Sequence, residues 1–299
     1  MDNISKKFGF VVLHYLTVEM TKISVNQVLN YYQNDDIHVV IVDNGSPNKS
    51  GIALQNYYKD NSLVDVILSK ENLGFARGNN IGYRYLKKIG YCDFIVVMNN
   101  DILVKNSNDL KTVSCIYEET KFAVLGPDIF CLYNGTHQNP MRDHLYTESE
   151  MNALISIYTL KEKFPFISFL HEKIKKCREK HNDFTVQDTY NEQTGTVLHG
   201  AFYIFSRKFV DERVDAFCPD TFLYGEEDLL CMDCMNNNFK MVYSPQVSVI
   251  HLEHFSTNQS GKSEFMRFKK RNRFMLQAYK IMKNHYINDK NVKDSEQNT

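Results

Sequence analysis

Tryptophan is missing from this 299-residue chain, and its aromatic content rests on 18 Tyr and 20 Phe. The 7 cysteines are scattered and odd in number. That argues for a reducing compartment rather than a disulfide framework. No apolar run approaches the ~20 residues that a membrane-spanning helix needs. Charge is nearly balanced, at a net -1, so nothing in the whole chain points to nucleic acid as a partner. Internal repeats are absent. The opening KKFGFVVLHYL has the outline of a signal peptide. It lacks a small-residue cleavage site and runs on into polar sequence, so it reads as a first core strand. What remains is a chain long enough for two average domains or one large α/β domain.

The most informative stretch is Tyr91–Val104, YCDFIVVMNNDILV. Phe94–Met98 is apolar, rich in β-branched residues and too short for a helix, which predicts a strand buried on both faces. It breaks into Asn99-Asn100-Asp101. In open α/β sheets ligands sit at the carboxyl ends of the strands. A carboxylate there is a natural oxygen ligand for Mg2+ or Mn2+. Asn and Asp also favour turns, and on these residues alone a turn fits as well.

From the start, strands at Phe8–Tyr15, Ile37–Val42, Val64–Leu68 and Phe94–Met98 alternate with helices at Val18–Tyr32, Ile52–Tyr58 and Gly78–Lys88. This rhythm predicts an α/β fold with a doubly wound, mostly parallel sheet. Asp43, Asn72 and Asp101 would then lie along one edge. Asn108–Thr120 reads as a helix and Phe122–Pro127 as a strand. His137–Thr189 carries many charges and few strand signals, with a helical middle at Glu148–Lys180. It reads as a helical insertion packed on the sheet or as a lid. Val197–Phe205 reads as a strand holding His199-Gly200-Ala201, Glu226–Asn236 as a helix, and Val247–Ile250 as a last strand ending at His251. Beyond Asn284 the polar tail is expected to be disordered.

Several constellations carry possible chemistry. Asp43, just past a strand, can accept from a base imide or a ribose hydroxyl, or serve a turn. ENLGFARGNN, Glu71–Asn80, places glycines, an arginine and asparagines at a strand-to-helix junction, where backbone can approach a phosphate. It matches neither the P-loop nor the dinucleotide fingerprint. Glu226, Glu227 and Asp228 are consecutive acids at a helix start. They can complement the helix dipole, and their mutual repulsion can also raise one pKa and make a better base. Cys231-x-x-Cys234 and His251-x-x-His254 imitate a zinc module poorly, and both cysteines share a helix face with Leu230 as core residues would. Lys262–Lys283 has eight basic residues interleaved with apolar ones. This is a basic amphipathic helix, suited to an anionic membrane surface or to packing on the domain with a solvated face.

In order and spacing, VDNGSPN, ENLGFARGNNIGY, VVMNNDILV, HGAFYIFSRK, FLYGEED and VIHLEHFS resemble the bacterial family-2 glycosyltransferases on the GT-A fold. The resemblance is greatest to rhamnosyl- and galactosyltransferase-like members that build cell-surface polysaccharides such as capsule or O-antigen. It implies one GT-A domain over residues 1–260, with 137–189 inserted, and a basic helix with a polar tail over 261–299. It implies that Asp43, Asn72, Arg77, Asn80, Asn99, Asn100 and Asp101 bind a UDP- or dTDP-sugar donor. Asp101 and His251 would hold Mg2+ or Mn2+. His199, Gly200 and Ala201 would shape the acceptor side. Glu227 would be the general base, with Glu226 and Asp228 beside it. The reaction would be metal-dependent and inverting, onto a hydroxyl of a lipid-linked saccharide. The protein would be cytoplasmic and peripheral at the inner face of the plasma membrane.

Three positions depart from the family pattern. The Asn-Asn-Asp triplet holds a single acid, Asp233 replaces a common arginine, and His254 stands where glycine is frequent. Two other readings are a nucleotidyltransferase, which would want a Gly-rich loop at His14-Tyr15-Leu16-Thr17, and a non-catalytic nucleotide-sugar-binding protein.

Overall fold

The computed structural model describes residues 6–90, 92–179, 190–253 and 263–297. Its centre is a sheet whose apolar strands are buried on both faces. In β1 (Lys7–His14), β2 (Asp36–Asp43) and β4 (Phe94–Asn99), alternate residues point to opposite sides. Phe8, Phe10, Val12, Val39, Ile41, Val96 and Met98 enter one apolar layer, whereas Val11, Val40, Val42, Ile95 and Val97 enter the other. Both faces being covered is why these strands read as unbroken apolar runs. The first layer is closed by α1 (Val18–Tyr31), α2 (Ser50–Tyr58) and α4 (Asp109–Thr120), and the second by α3 (Gly74–Ile89).

The sheet order is β3-β2-β1-β4-β9-β6-β10-β5, with β3 at Val64–Leu68, β5 at Ile102–Val104, β6 at Val124–Cys131, β9 at Phe202–Ser206 and β10 at Met241–His251. β3, β2, β1 and β4 are mutually parallel, β9 runs antiparallel between β4 and β6, and β5 runs antiparallel on β10. The small strands β7 (Thr136–His137) and β8 (Gln193–Thr194) extend β6 and β10. The expected mostly parallel, doubly wound α/β sheet is therefore present.

Several expected boundaries move. Helix α3 begins at Gly74 rather than Gly78. Its inner glycines serve packing: a Cβ at Gly82 would lie 2.5 Å from Val11 Cγ1, so the helix can press on β1 only without a side chain there. The expected strand Val197–Phe205 shortens to β9, and His199-Gly200-Ala201 falls in the turn before it, with Val197 bridged to Arg142 instead. The last strand is longer than expected and starts at Met241, because a register shift between Ser244 and Ser248 lets it continue along β6.

The stretch after His137 does form helices, α5 (Glu148–Lys163) and α6 (Pro165–Glu179). α5 starts in a capping box, the Thr147 side chain accepting from Glu150 N–H while Glu150 reaches back. Residues 180–189 of the stretch lie outside the described residues. After β9 come α7 (Arg207–Glu212) and α8 (Glu226–Asn236), the latter as expected. The expected disordered tail is corrected: the last helix, α9 (Glu264–Gln297), runs 34 residues, on past Asn284. Phe268, Ala278, Tyr279 and Met282 are buried, with Tyr279 packed on Tyr146 and Tyr158 and Phe268 on Phe169. Past Asn284, His285 bonds Asp220, Tyr286 packs on the same cluster, and Asp289 accepts from Asn236. Among the described residues no helix is long and apolar enough to cross a membrane.

Candidate active site

The rim formed by the β4–β5 turn, the end of β10 and the start of α8 carries the ionisable groups. His251 pairs with Ile102 across the β10–β5 ladder, and Leu252 N–H donates to the Asp101 carbonyl at 3.0 Å. This register sets His251 Nε2 3.2 Å from Asp101 Oδ1, both residues being buried. His251 Nδ1 lies 2.7 Å from Gln138 Oε1, a contact that fixes the orientation of the ring. A buried carboxylate with an imidazole nitrogen beside it is a donor set for Mg2+ or Mn2+. The residues present fit a divalent metal.

The second cluster opens α8. Gly225, at φ +82°, turns the chain so that Glu226, Glu227 and Asp228 occupy the first turn, at the positive end of the helix dipole. Glu226 is buried and its Oε2 has no hydrogen-bond partner. Burial first, and Glu227 second, push the Glu226 carboxyl well above the carboxylate range. Asp228 forms a close ion pair with Arg142, whose guanidinium stacks 3.6 Å above the Tyr146 ring. Burial raises the Asp228 pKa, and the Arg142 charge opposes it. Glu227 is partly exposed and faces the His199-Gly200-Ala201 turn. A Cβ at Gly200 would sit 2.7 Å from Glu227 Oε1, so a side chain there would push the carboxylate aside. Burial pushes Glu227 up to about 7, against backbone donors that include Gly200. Repulsion among the acids contributes, as the sequence implied, but burial is the larger cause.

The two clusters share the same turn. His199 lies with its ring centroid 6.0 Å from that of His251, its Nδ1 accepts from Ala201 N–H at 3.1 Å, and Asn99 N–H donates to the Ala201 carbonyl at 2.9 Å. Burial first, then the neighbouring His251, lower the His199 pKa to about 4, so its ring is neutral.

The expected donor residues divide by what their side chains hold. Asp43 is the buried last residue of β2, where its carboxylate accepts from Ser46 N–H at 3.3 Å and faces His14 Nε2 at 3.9 Å. Asn72 Oδ1 accepts from Gly74 N–H at 2.9 Å and shapes the entry to α3. Arg77 Nε donates to the Pro219 carbonyl at 2.7 Å. Asn80 is fully buried: its Nδ2 donates to the Phe217 carbonyl and its Oδ1 accepts from Ala216 and Phe217 N–H. Asn100 is buried too, with Nδ2 donating to the Thr17 and Thr21 hydroxyls at 2.9 Å. Asn80 and Asn100, expected on the donor side, thus bond to protein groups and brace the scaffold. Buried amides bonded to protein have little left for a ligand.

Sequence reasoning missed Gln138, Asn139 and Arg142. Asn139 Oδ1 accepts from His199 N–H at 2.6 Å and its Nδ2 donates to the Pro127 carbonyl at 2.8 Å. All three lie in a polar stretch read as insertion, and no local pattern marks them. Asp233, the departure from the expected arginine, pairs with Arg213 at 2.6 Å. Cys231 and Cys234 are buried in the core layer under α8, as their shared face with Leu230 implied, and His254 lies outside the described residues.

The family profile described as Glycosyl transferase family 2 matches residues 10–214. The chain is similar to the dTDP-rhamnosyl transferase RfbF of Shigella flexneri, 24% identical over 166 residues, 50% of this chain and 54% of RfbF. It is similar in structure to GalNAc-T7, solved with UDP, GalNAc and Mn2+, at TM-score 0.56 and 13% identity over 91% of this chain and 48% of that one. It is also similar to the mannosyltransferase PcManGT of Pyrobaculum calidifontis, solved with GDP-Man and Mn2+. There the TM-score is 0.53 and the identity 11%, over 94% of this chain and 74% of that one. The matches thus span about half the length of RfbF and of GalNAc-T7. At such identities the structural likeness speaks for the fold, which is GT-A.

Proposed function

The chain belongs to glycosyl transferase family 2, and from that premise we propose that it moves a sugar from a nucleoside-diphosphate sugar to an acceptor hydroxyl with inversion at the anomeric carbon. The observation that carries this reading is Glu227: a carboxylate with its pKa near 7, facing the turn whose His199 adjoins the Asp101–His251 pair. Glu227 takes the acceptor's hydroxyl proton. The freed oxygen pair bonds the anomeric carbon from the face opposite the diphosphate, and the breaking C–O bond leaves its electrons on the nucleoside diphosphate. A positioned base contributes ~10²–10⁴-fold in rate. A divalent cation on Asp101 and His251, when bound, supplies positive charge against the diphosphate. The Mn2+ with which both structural neighbours were solved supports that cofactor, and Mg2+ has the same donor preference.

The donor is a UDP- or dTDP-sugar, a reading supported by the name of the Shigella relative and by the UDP bound to GalNAc-T7. Asp43, Asn72, Arg77 and Asn99 are the residues on its side. The acceptor is a saccharide on a lipid carrier in surface-polysaccharide synthesis, such as capsule or O-antigen, which places the protein at the inner face of the plasma membrane. The apolar side of α9 is packed on protein, so that helix meets lipid through its exposed Lys269, Lys270 and Arg273. Apolar contact falls instead to the outer faces of α5 and α6, where Leu160, Phe166, Ile167 and Ile174 are exposed. Exposed apolar side chains of this kind suit a bilayer surface.

Product analysis over a panel of UDP-, dTDP- and GDP-sugars tests the reaction. Transfer or hydrolysis that needs Glu227 is expected. Donor binding with neither activity would leave a nucleotide-sugar-binding protein.

A further inference from the structure

Away from this rim, three ligand types meet where the loop before α8 touches α9. His285 Nε2 on α9 lies 2.9 Å from Asp220 Oδ2 and 3.8 Å from Cys218 Sγ, and the three atoms all lie within 4.8 Å of one another. Metal–ligand lengths of 2.0–2.3 Å at tetrahedral angles put such donors about 3.3–3.7 Å apart. The observed spacing is near that of one face of a tetrahedron, with exposed Asp220 leaving the fourth corner to water.

Both sides of the cluster are held. Asn80 clamps the backbone of Ala216 and Phe217, and Arg77 holds the Pro219 carbonyl, so Cys218 stands between fixed neighbours. One turn before His285, Met282 is buried against Gly225. The Asp220 carboxylate faces both the His285 ring and the Cys218 thiol, so the three donor groups converge on one point.

We infer that Cys218, Asp220 and His285 form a Zn2+ site that ties the C-terminal helix to the loop leading to the acidic cluster of α8. A sulfur, an imidazole and a carboxylate favour zinc over Mg2+ or Mn2+, so the site is chemically distinct from the Asp101–His251 pair. Burial pushes the Cys218 thiol up to about 11, so zinc binding at neutral pH displaces the thiol proton to solvent and strengthens as pH rises. The inference does not depend on the sugar-transfer reading.

Titration of the full chain with Co2+, followed by Zn2+ competition, tests it. Expected is a thiolate-to-Co2+ charge-transfer band that saturates at about one ion per chain, disappears on adding Zn2+, vanishes in Cys218→Ser, weakens at least tenfold in His285→Gln and survives in Asp101→Asn. Circular dichroism of each variant checks folding. No band in the wild-type chain, or an unchanged band in folded Cys218→Ser, overturns the site. A band lost in Asp101→Asn would assign the ion to the other rim and overturn it equally.

Discussion

Replacing Glu227 by glutamine removes a proton acceptor and keeps the shape of the side chain, including an oxygen for the Gly200 N–H. Two effects of opposite sign follow. In the folded protein the carboxyl is raised from 4.5 to about 7 by burial. A base with that pKa is about one-tenth ionised at pH 6 and about nine-tenths at pH 8, so turnover of the wild type should rise nearly tenfold between them. The Gln variant should be slower by ~10²-fold or more at pH 8 and lose that pH limb, with donor affinity nearly unchanged. Stability moves the other way. Because the folded state holds the proton more tightly than the unfolded chain, rising pH costs stability from the unfolded pKa up to the folded one. The loss spans pH 4.5 to about 7 and totals about 3 kcal/mol. Glutamine never ionises, so the variant should match the wild type near pH 4.5 and be the more stable protein at pH 8. Steady-state kinetics from pH 5.5 to 8.5 and urea unfolding at pH 4.5 and 8 read both effects. Normal turnover in Glu227→Gln, or a variant less stable than wild type at pH 8, would refute the reasoning. Glu226→Gln provides the control: that carboxyl is already held protonated, so the neutral amide should cost far less.

Asp101→Asn should abolish the difference between Mn2+ and EDTA in calorimetric binding of a nucleoside diphosphate; equal affinities in the wild type would remove the metal's role. Asp228→Asn leaves the half-buried Arg142 without its counter-charge and should cost about 2–3 kcal/mol in denaturant unfolding, less than for a fully buried pair. A smaller loss would mean that the guanidinium has another partner. Phe166→Asp with Ile167→Asp should reduce co-sedimentation with anionic vesicles severalfold at low salt, while wild-type binding falls as salt rises. Vesicle binding that the double variant retains would take α6 out of the membrane contact.

What the sequence by itself determined is local and periodic. Val96 to Met98 had to be strand, because β-branched residues alternating between two apolar layers read the same in any context. Glu226 to Asn236 read as helix, because three acids after a glycine suit the positive end of a helix dipole. Asp101 and His251 stood out as polar residues where strands end. Tertiary structure decided which of these groups meet. The antiparallel pairing of β10 on β5 brings His251 to Asp101, although 150 residues of chain separate them. Gln138 and Arg142 became visible only when their segment returned beside Val197. Asn80 and Asn100 looked like ligand residues because an amide is equally suited to a donor sugar and to a buried backbone group, and only the fold says which is in reach. The same holds for α9: periodicity showed an apolar face, but not that Tyr146, Tyr158 and Phe169 cover it. Hydrophobic pattern reports that a side chain will be buried. Its partner is chosen by register and packing between segments far apart in the chain.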